Sequence, residues 1–221
     1  MKFCVIGLGQ FGRSLAVELA AEGFEVLAID NNAALVDEIK DRVVMAVRAD
    51  ATRLEDLQEL GVQGMDVGIV AIGEDFAASL TVTTHLQKLK VATIFCRVIN
   101  EVHRHILELM GITELIQPEM IAARQFAKRL GIKRASRHFA LGESFSIVEL
   151  AVPPALVGKT LTEARLRDKY RLNLVTTRSK GPDGKEDLTG VPDPNTYHFS
   201  QDDQLIVFGR EQDIRKFSGS N

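Results

Sequence analysis

Along the first part of the chain, short apolar runs alternate with longer stretches whose apolar residues recur every three or four positions. The runs at 3–6, 26–29, 43–47, 67–72, 93–98 and 115–116 are almost wholly apolar rather than alternating, which predicts strands buried on both faces. Helical spacing fills the gaps. Leu35, Val36 and Ile39 follow a cap at Asn31 or Asn32, and Leu54, Leu57 and Leu60 follow Asp50-Ala51-Thr52. Leu80, Thr83, Thr84 and Leu86 share the inner side of a helix over 76–88, and Asn100 caps one through Val102, Ile106, Leu107 and Met110. Strands separated by helices in this way predict an α/β unit built on an open parallel sheet with helices on both faces.

A further helix over 119–130 carries Met120, Ile121, Ala122, Ala123, Phe126, Ala127 and Leu130, a broader stripe than a surface helix needs. Either its parent sheet or a second subunit covers the excess. Residues 133–143, with Lys133, Arg134, Arg137 and His138, read as a solvated basic connector. The pattern then changes. A strand over 144–152 ends at Pro153-Pro154, a short helix spans 159–169 and a strand spans 172–177. Turn chemistry follows at 180–185 and a second loop at 191–195, before a strand over 204–208 and a helix from Glu211. The expected organisation is therefore a domain over 1–132, a linker over 133–143 and a small α+β domain over 144–221. A unit of about 80 residues buries little core alone, so pairing with another copy would help it.

The turn after the first strand gives that architecture a chemistry. Gly7, Gly9 and Gly12 form G-x-G-x-x-G between a strand and a helix, and Asp30 closes the second strand about 20 residues on. Gly7 permits the tight turn, Gly9 lets a pyrophosphate approach the backbone, and Gly12 lets helix and strand pack closely. The helix N-terminus attracts phosphate charge. Asp30 is placed to accept from ribose hydroxyls and would repel a 2′-phosphate, favouring NAD or an adenine nucleotide over NADP. This is a Rossmann-type doubly wound sheet with expected strand order 3-2-1-4-5-6 and ligand at the switch point beyond strands one and four.

Composition narrows the function classes. A net charge of −3, from 27 basic and 30 acidic residues, gives no field that would recruit nucleic acid. The apolar runs fall far short of the roughly 20 residues that span a bilayer. A single lysine precedes the first strand, so no signal peptide is expected, and Cys4 and Cys96 read as small core residues of a cytoplasmic protein. Hydride transfer usually needs a positioned proton donor. Tyr170 and Tyr197 are followed four places on by Leu174 and Gln201, so Tyr-x-x-x-Lys is absent. His103 and His105 are two apart on a helix and face differently, and no cysteine pair suits zinc. The pattern favours a nucleotide that is sensed rather than consumed; an NAD-dependent oxidoreductase with an unrecognised substrate site is the alternative.

The segments VIGLGQFGRSLAVEL, VLAIDNN, ADAT, VAIGED, CRVIN and QPE resemble the domain that regulates conductance of potassium (RCK), as found in the KtrA and TrkA family. LVGKTLTEARLRDKYRLNLV and DDQLIVFG are similar to that family's C-terminal domain. The resemblance implies a cytoplasmic regulatory subunit of a membrane potassium channel or transporter. It implies dimers related through the crossover helix that assemble into an octameric ring, with ADP, ATP or NAD(H) in the cleft. By motif position it implies contacts from Gly7, Gly9, Gln10, Phe11, Gly12 and Arg13 in the turn, and from Asp30, Asn31 and Asn32 at the ribose. Asp50, Ala51 and Thr52 would border adenine. Ile72, Gly73 and Glu74 would line the cleft, with Arg97 near the phosphates. Gln10 stands where many KtrA sequences carry an arginine that reaches the terminal phosphate; glutamine keeps the hydrogen bonding and drops the charge. Glu119 matches a position that contributes to a cation site, and equally suits a helix N-terminal acid. Arg167 and Asn173 match positions used for cyclic di-AMP in some members, with Leu156, Val157 and Leu174 as the apolar walls expected around them.

Overall fold

The computed structural model describes residues 1–180 and 186–219. The chain divides into two compact units, Met1–Glu119 and Met120–Asn221. In the first, strands and helices alternate as β1 (Lys2–Ile6), α1 (Gln10–Ala21), β2 (Glu25–Asp30), α2 (Ala33–Asp37), β3 (Met45–Arg48), α3 (Leu54–Glu59), β4 (Val67–Val70), α4 (Phe76–Lys88), β5 (Thr93–Arg97), α5 (Glu101–Leu109) and β6 (Glu114–Ile116). All pairings are parallel and the order is β3-β2-β1-β4-β5-β6, as the pattern predicts. Alternate residues of each strand feed different cores. Cys4, Ile6, Leu27 and Ile29 join one buried cluster; Val5, Val26 and Ala28 join another. A strand with helices on both sides has no polar face to spare, which is why β1, β2 and β4 read as continuous apolar runs.

Local chemistry sets the helix starts. Asn32 accepts from the Ala34 amide, Asp75 from Ala78 and Asn100 from His103, so α2, α4 and α5 of this unit start at side-chain N-caps. The helix behind Asn32 is shorter than its spacing suggests and ends at Asp37. Cys4 and Cys96 are buried thiols; burial pushes them up to about 12 and about 11, respectively, so neither is a ready thiolate.

Helix α6 (Pro118–Leu130) follows, and the second unit continues with β7 (Ala135–Leu141), β8 (Phe145–Ala151), α7 (Leu161–Ala164), α8 (Leu166–Tyr170), β9 (Asn173–Lys180), β10 (Glu186–Leu188), β11 (Gln204–Arg210) and α9 (Glu211–Ser218). Its sheet is antiparallel, ordered β10-β9-β11-β8-β7. Val148, Leu150, Leu172, Leu205, Val207, Ile214 and Phe217 form its core.

Here the sequence reading needs correction at two places. The basic stretch expected as a linker is mostly the edge strand β7, paired antiparallel with β8 and bulged between Ala135 and Arg137. Charged side chains on an edge strand resemble a solvated connector because both leave their residues in water. The helix expected over 159–169 is two short helices, broken at Arg165, whose φ of 48° is left-handed. A capping box between Thr160 and Glu163 starts the first of them. The turn expected over 180–185 lies, from position 181 on, outside the described residues.

Candidate functional site

Because β1 pairs with β2 on one side and β4 on the other, the chain leaves the sheet in opposite directions from the carboxyl ends of β1 and β4. A crevice of about 570 Å³ opens there. Gly7 makes the turn with a φ of +93°, a left-handed value that favours glycine. A Cβ on Gly12 would stand 1.9 Å from the Gly7 carbonyl oxygen, so only glycine lets α1 approach the turn this closely. A Cβ on Gly9 would meet nothing within 4 Å. Gly9 N-caps α1 without a side-chain cap bond, which leaves the first-turn amides facing an open approach.

Asp30, at the tip of β2, is held by two amides. Leu8 N–H donates to Oδ2 at 2.6 Å and Asn32 N–H donates to Oδ1 at 2.8 Å. These bonds fix the carboxylate between the glycine turn and α2, and each oxygen keeps acceptor capacity for a further donor. Across the crevice, Asp50 Oδ1 accepts from the Thr52 amide at 3.0 Å and the Thr52 hydroxyl at 2.6 Å. Those bonds hold the Asp50 carboxyl below its ordinary range. Ala51 is buried, and its carbonyl lies 3.4 Å from His85 Nδ1.

The residues expected from sequence divide into two groups. Gly7, Gly9, Gln10, Asp30 and Asn31 line one wall, and Asp50, Ala51, Thr52, Ile72, Gly73, Glu74 and Arg97 line the rest. The crevice does not gather Phe11, Gly12, Arg13 or Asn32. Phe11 packs against the second core cluster, Gly12 is the close-packing point, Arg13 pairs with Glu38, and Asn32 caps α2. Leu35, Ala49, Asp75 and Ala78 also line the crevice. Of these, only Asp75 had a signal in the sequence, as the acid before the helix at 76.

Glu119 pairs with Arg97, Oε1 to Nη2 at 2.5 Å. Among the described residues no group of three or more His, Cys, Asp or Glu side chains is placed to hold a metal. In the second unit, a hollow of about 320 Å³ is lined by Arg167, Asn173 and Leu174, together with Thr162, Arg165 and Pro194. Leu156 and Val157 are not part of it; Leu156 is buried in the core and Val157 is 42% exposed.

A glycine turn at a parallel-sheet switch point, followed by a small antiparallel unit, defines the class: a two-domain protein with a Rossmann-type first unit, of RCK type. Comparison with known proteins agrees. Residues 3–118 match the TrkA-N domain and residues 145–219 the TrkA-C domain. Ktr system potassium uptake protein C of Bacillus subtilis (strain 168) is 35% identical over 216 residues, covering 98% of this chain and 95% of that protein. Ktr system potassium uptake protein A of the same organism is 32% identical with the same coverage. The GsuK RCK domain superposes with a TM-score of 0.62 at 18% identity. The GsuK channel bound to NAD gives 0.60, also at 18% identity. The chain is covered to 99% in both, and it spans 48% and 39% of those longer chains. This chain therefore belongs to the KtrA/TrkA family of RCK-type regulatory proteins of potassium transport.

Proposed function

We propose that this chain is the nucleotide-sensing cytoplasmic subunit that gates a membrane potassium channel or transporter. The observation that carries the reading is the anchored Asp30 carboxylate beside the open Gly9 turn, a ribose acceptor and a phosphate cradle side by side in one crevice. An adenine nucleotide fits this chemistry: Asp30 and Asn31 at the ribose, 50–52 bordering the base, and the α1 amides with Gln10 and Arg97 at the phosphates. GsuK, a likeness of fold alone, has been solved bound to NAD. Among the described residues the crevice lining includes the carboxylates Asp30, Asp50, Glu74 and Asp75 but no Tyr, His, Cys or Lys, so the kind of donor most common beside a nicotinamide does not face the ligand. That favours sensing over turnover.

In this reading the ligand acts by differential affinity for two arrangements of the assembly. A dimer formed through α6, four of which close an octameric ring, supplies those arrangements; α6 carries Met120, Ile121, Phe126 and Leu130, all more than half exposed in the single chain. No described helix is long and apolar enough to cross a membrane, so membrane location comes through the transport partner. Glu119 as a cation ligand and the Arg167–Asn173 hollow as a cyclic di-AMP site belong to the same proposal.

Calorimetric titration with ATP, ADP, NAD, NADH and cyclic di-AMP, with and without Mg²⁺, tests the sensing reading, alongside NADH absorbance over a carbonyl panel. Binding of an adenine nucleotide with constant absorbance supports it. Steady NADH consumption would transfer the chain to the oxidoreductase reading.

A further inference from the structure

Arg97 stands at the carboxyl tip of β5 and lines the crevice. Its guanidinium lies across Gly73, in the loop after β4: a Cβ there would stand 2.2 Å from Arg97 Nη1. Gly73 thus leaves the arm its place in the crevice wall. The other end of the same guanidinium, Nη2, meets Glu119 Oε1 at 2.5 Å. Glu119 is the second residue of α6, directly after Pro118, and its side chain is 68% exposed against 24% for Arg97. One cation therefore has two anionic claims on it, a carboxylate on the first turn of α6 and whatever negative charge enters the crevice.

We infer that Arg97 is a shared arm, held by Glu119 when the crevice is empty and taken over by a nucleotide phosphate when it is filled. The inference rests on the nucleotide reading above and adds to it the route by which phosphate charge is felt at α6. An exposed carboxylate holds an arginine weakly. A diphosphate offers more negative charge and a planar pair of acceptor oxygens that suits the guanidinium fork, in a less hydrated setting. On transfer, Glu119 is left without its counter-charge at the start of α6, the element through which the chain passes into the second unit. The nucleotide's charge then sets how firmly the first turn of α6 is tied to the sheet.

Titrating AMP and ADP into the full chain in EDTA, with Glu119→Gln, Arg97→Gln and the double variant, tests this. Removing the competitor should tighten binding, by about two- to fivefold for ADP and less for AMP. Arg97→Gln should weaken ADP binding by about tenfold, and Glu119→Gln added to it should then gain nothing. Amide exchange at residues 120–124 should quicken on ADP binding in the wild type and stay unchanged in Arg97→Gln. Equal ADP affinity in wild type and Glu119→Gln would overturn the shared arm while leaving the cleft in place. Failure of every nucleotide to bind the wild type would remove the cleft reading, and this inference with it.

Discussion

Both units hold a fixed aspartate, and they use it in opposite ways. Asp30 receives two amides and sits on the wall of an open crevice. Asp203 is 5% exposed and receives the Ser179 hydroxyl at 2.6 Å, the Tyr197 hydroxyl at 2.5 Å and the Ser200 amide at 2.8 Å. Glu149, also buried, is similarly held by Arg178 at 3.0 Å, with Arg137 at 3.8 Å. The difference follows from sheet type. A parallel sheet brings every strand's carboxyl end, and the loop after it, to one edge, where polar groups converge with capacity left over. The antiparallel sheet divides its strand ends and loops between two edges, and its buried acids are consumed by cross-strand and loop partners. The first unit is built around an open crevice, the second around closed polar knots.

The largest expected effect separates fold from site within one motif. Gly12→Ala drives a Cβ into the Gly7 carbonyl and should destabilise the first unit by about 3–5 kcal/mol, read by chemical denaturation. Next comes the closed knot of the second unit. Asp203→Ala leaves two buried or half-buried donors short of an acceptor, and should cost about 2–4 kcal/mol while nucleotide affinity stays at the wild-type value. A matching loss of affinity would show that the contrast between the units is misdrawn.

Acidification should weaken both units by one mechanism. His103 accepts the Ile99 amide on Nδ1, so the proton of the neutral ring lies on Nε2, which is buried with no hydrogen-bond partner among the described residues. Burial holds His103 below the ordinary histidine value of 6.5. His138 is also held down by burial, with Lys128 adding to that effect and Glu211 opposing it. The unfolded chain then binds more protons, so stability rises with pH: the contribution is complete above about 6.5 and erodes as pH falls below it. Melting temperature should drop between pH 7.5 and 5.5, and His138→Gln should flatten part of that slope. The smallest stability effect is expected at Gly9→Ala, whose Cβ enters open space: under about 0.5 kcal/mol on folding, yet a clear loss of nucleotide affinity because the methyl occupies the phosphate's approach.

The sheet order and most of the crevice lining were legible because a doubly covered parallel sheet writes itself as solid apolar runs, with glycines and acids at fixed offsets after them. What escaped was local competition for side chains. Arg13 and Asn32 carry the right chemistry at the right offsets, but Glu38 takes the one and the α2 N-terminus takes the other. The edge strand β7 was hidden because Arg137 and His138 look like linker residues, although His138 points inward with its side chain 1% exposed. The break at Arg165 leaves no mark in composition, since a left-handed arginine is set by tertiary context.

The central claim is that Asp30 is the ribose acceptor of a sensed nucleotide. Its most direct test is the thermal shift given by saturating ADP, ATP or NADH on the wild type and on Asp30→Ala, each already shown folded by circular dichroism. At a hundredfold excess over Kd the wild type should gain about 2.7 kcal/mol of stability, and Asp30→Ala should gain essentially none. An equal shift in both proteins would contradict the account.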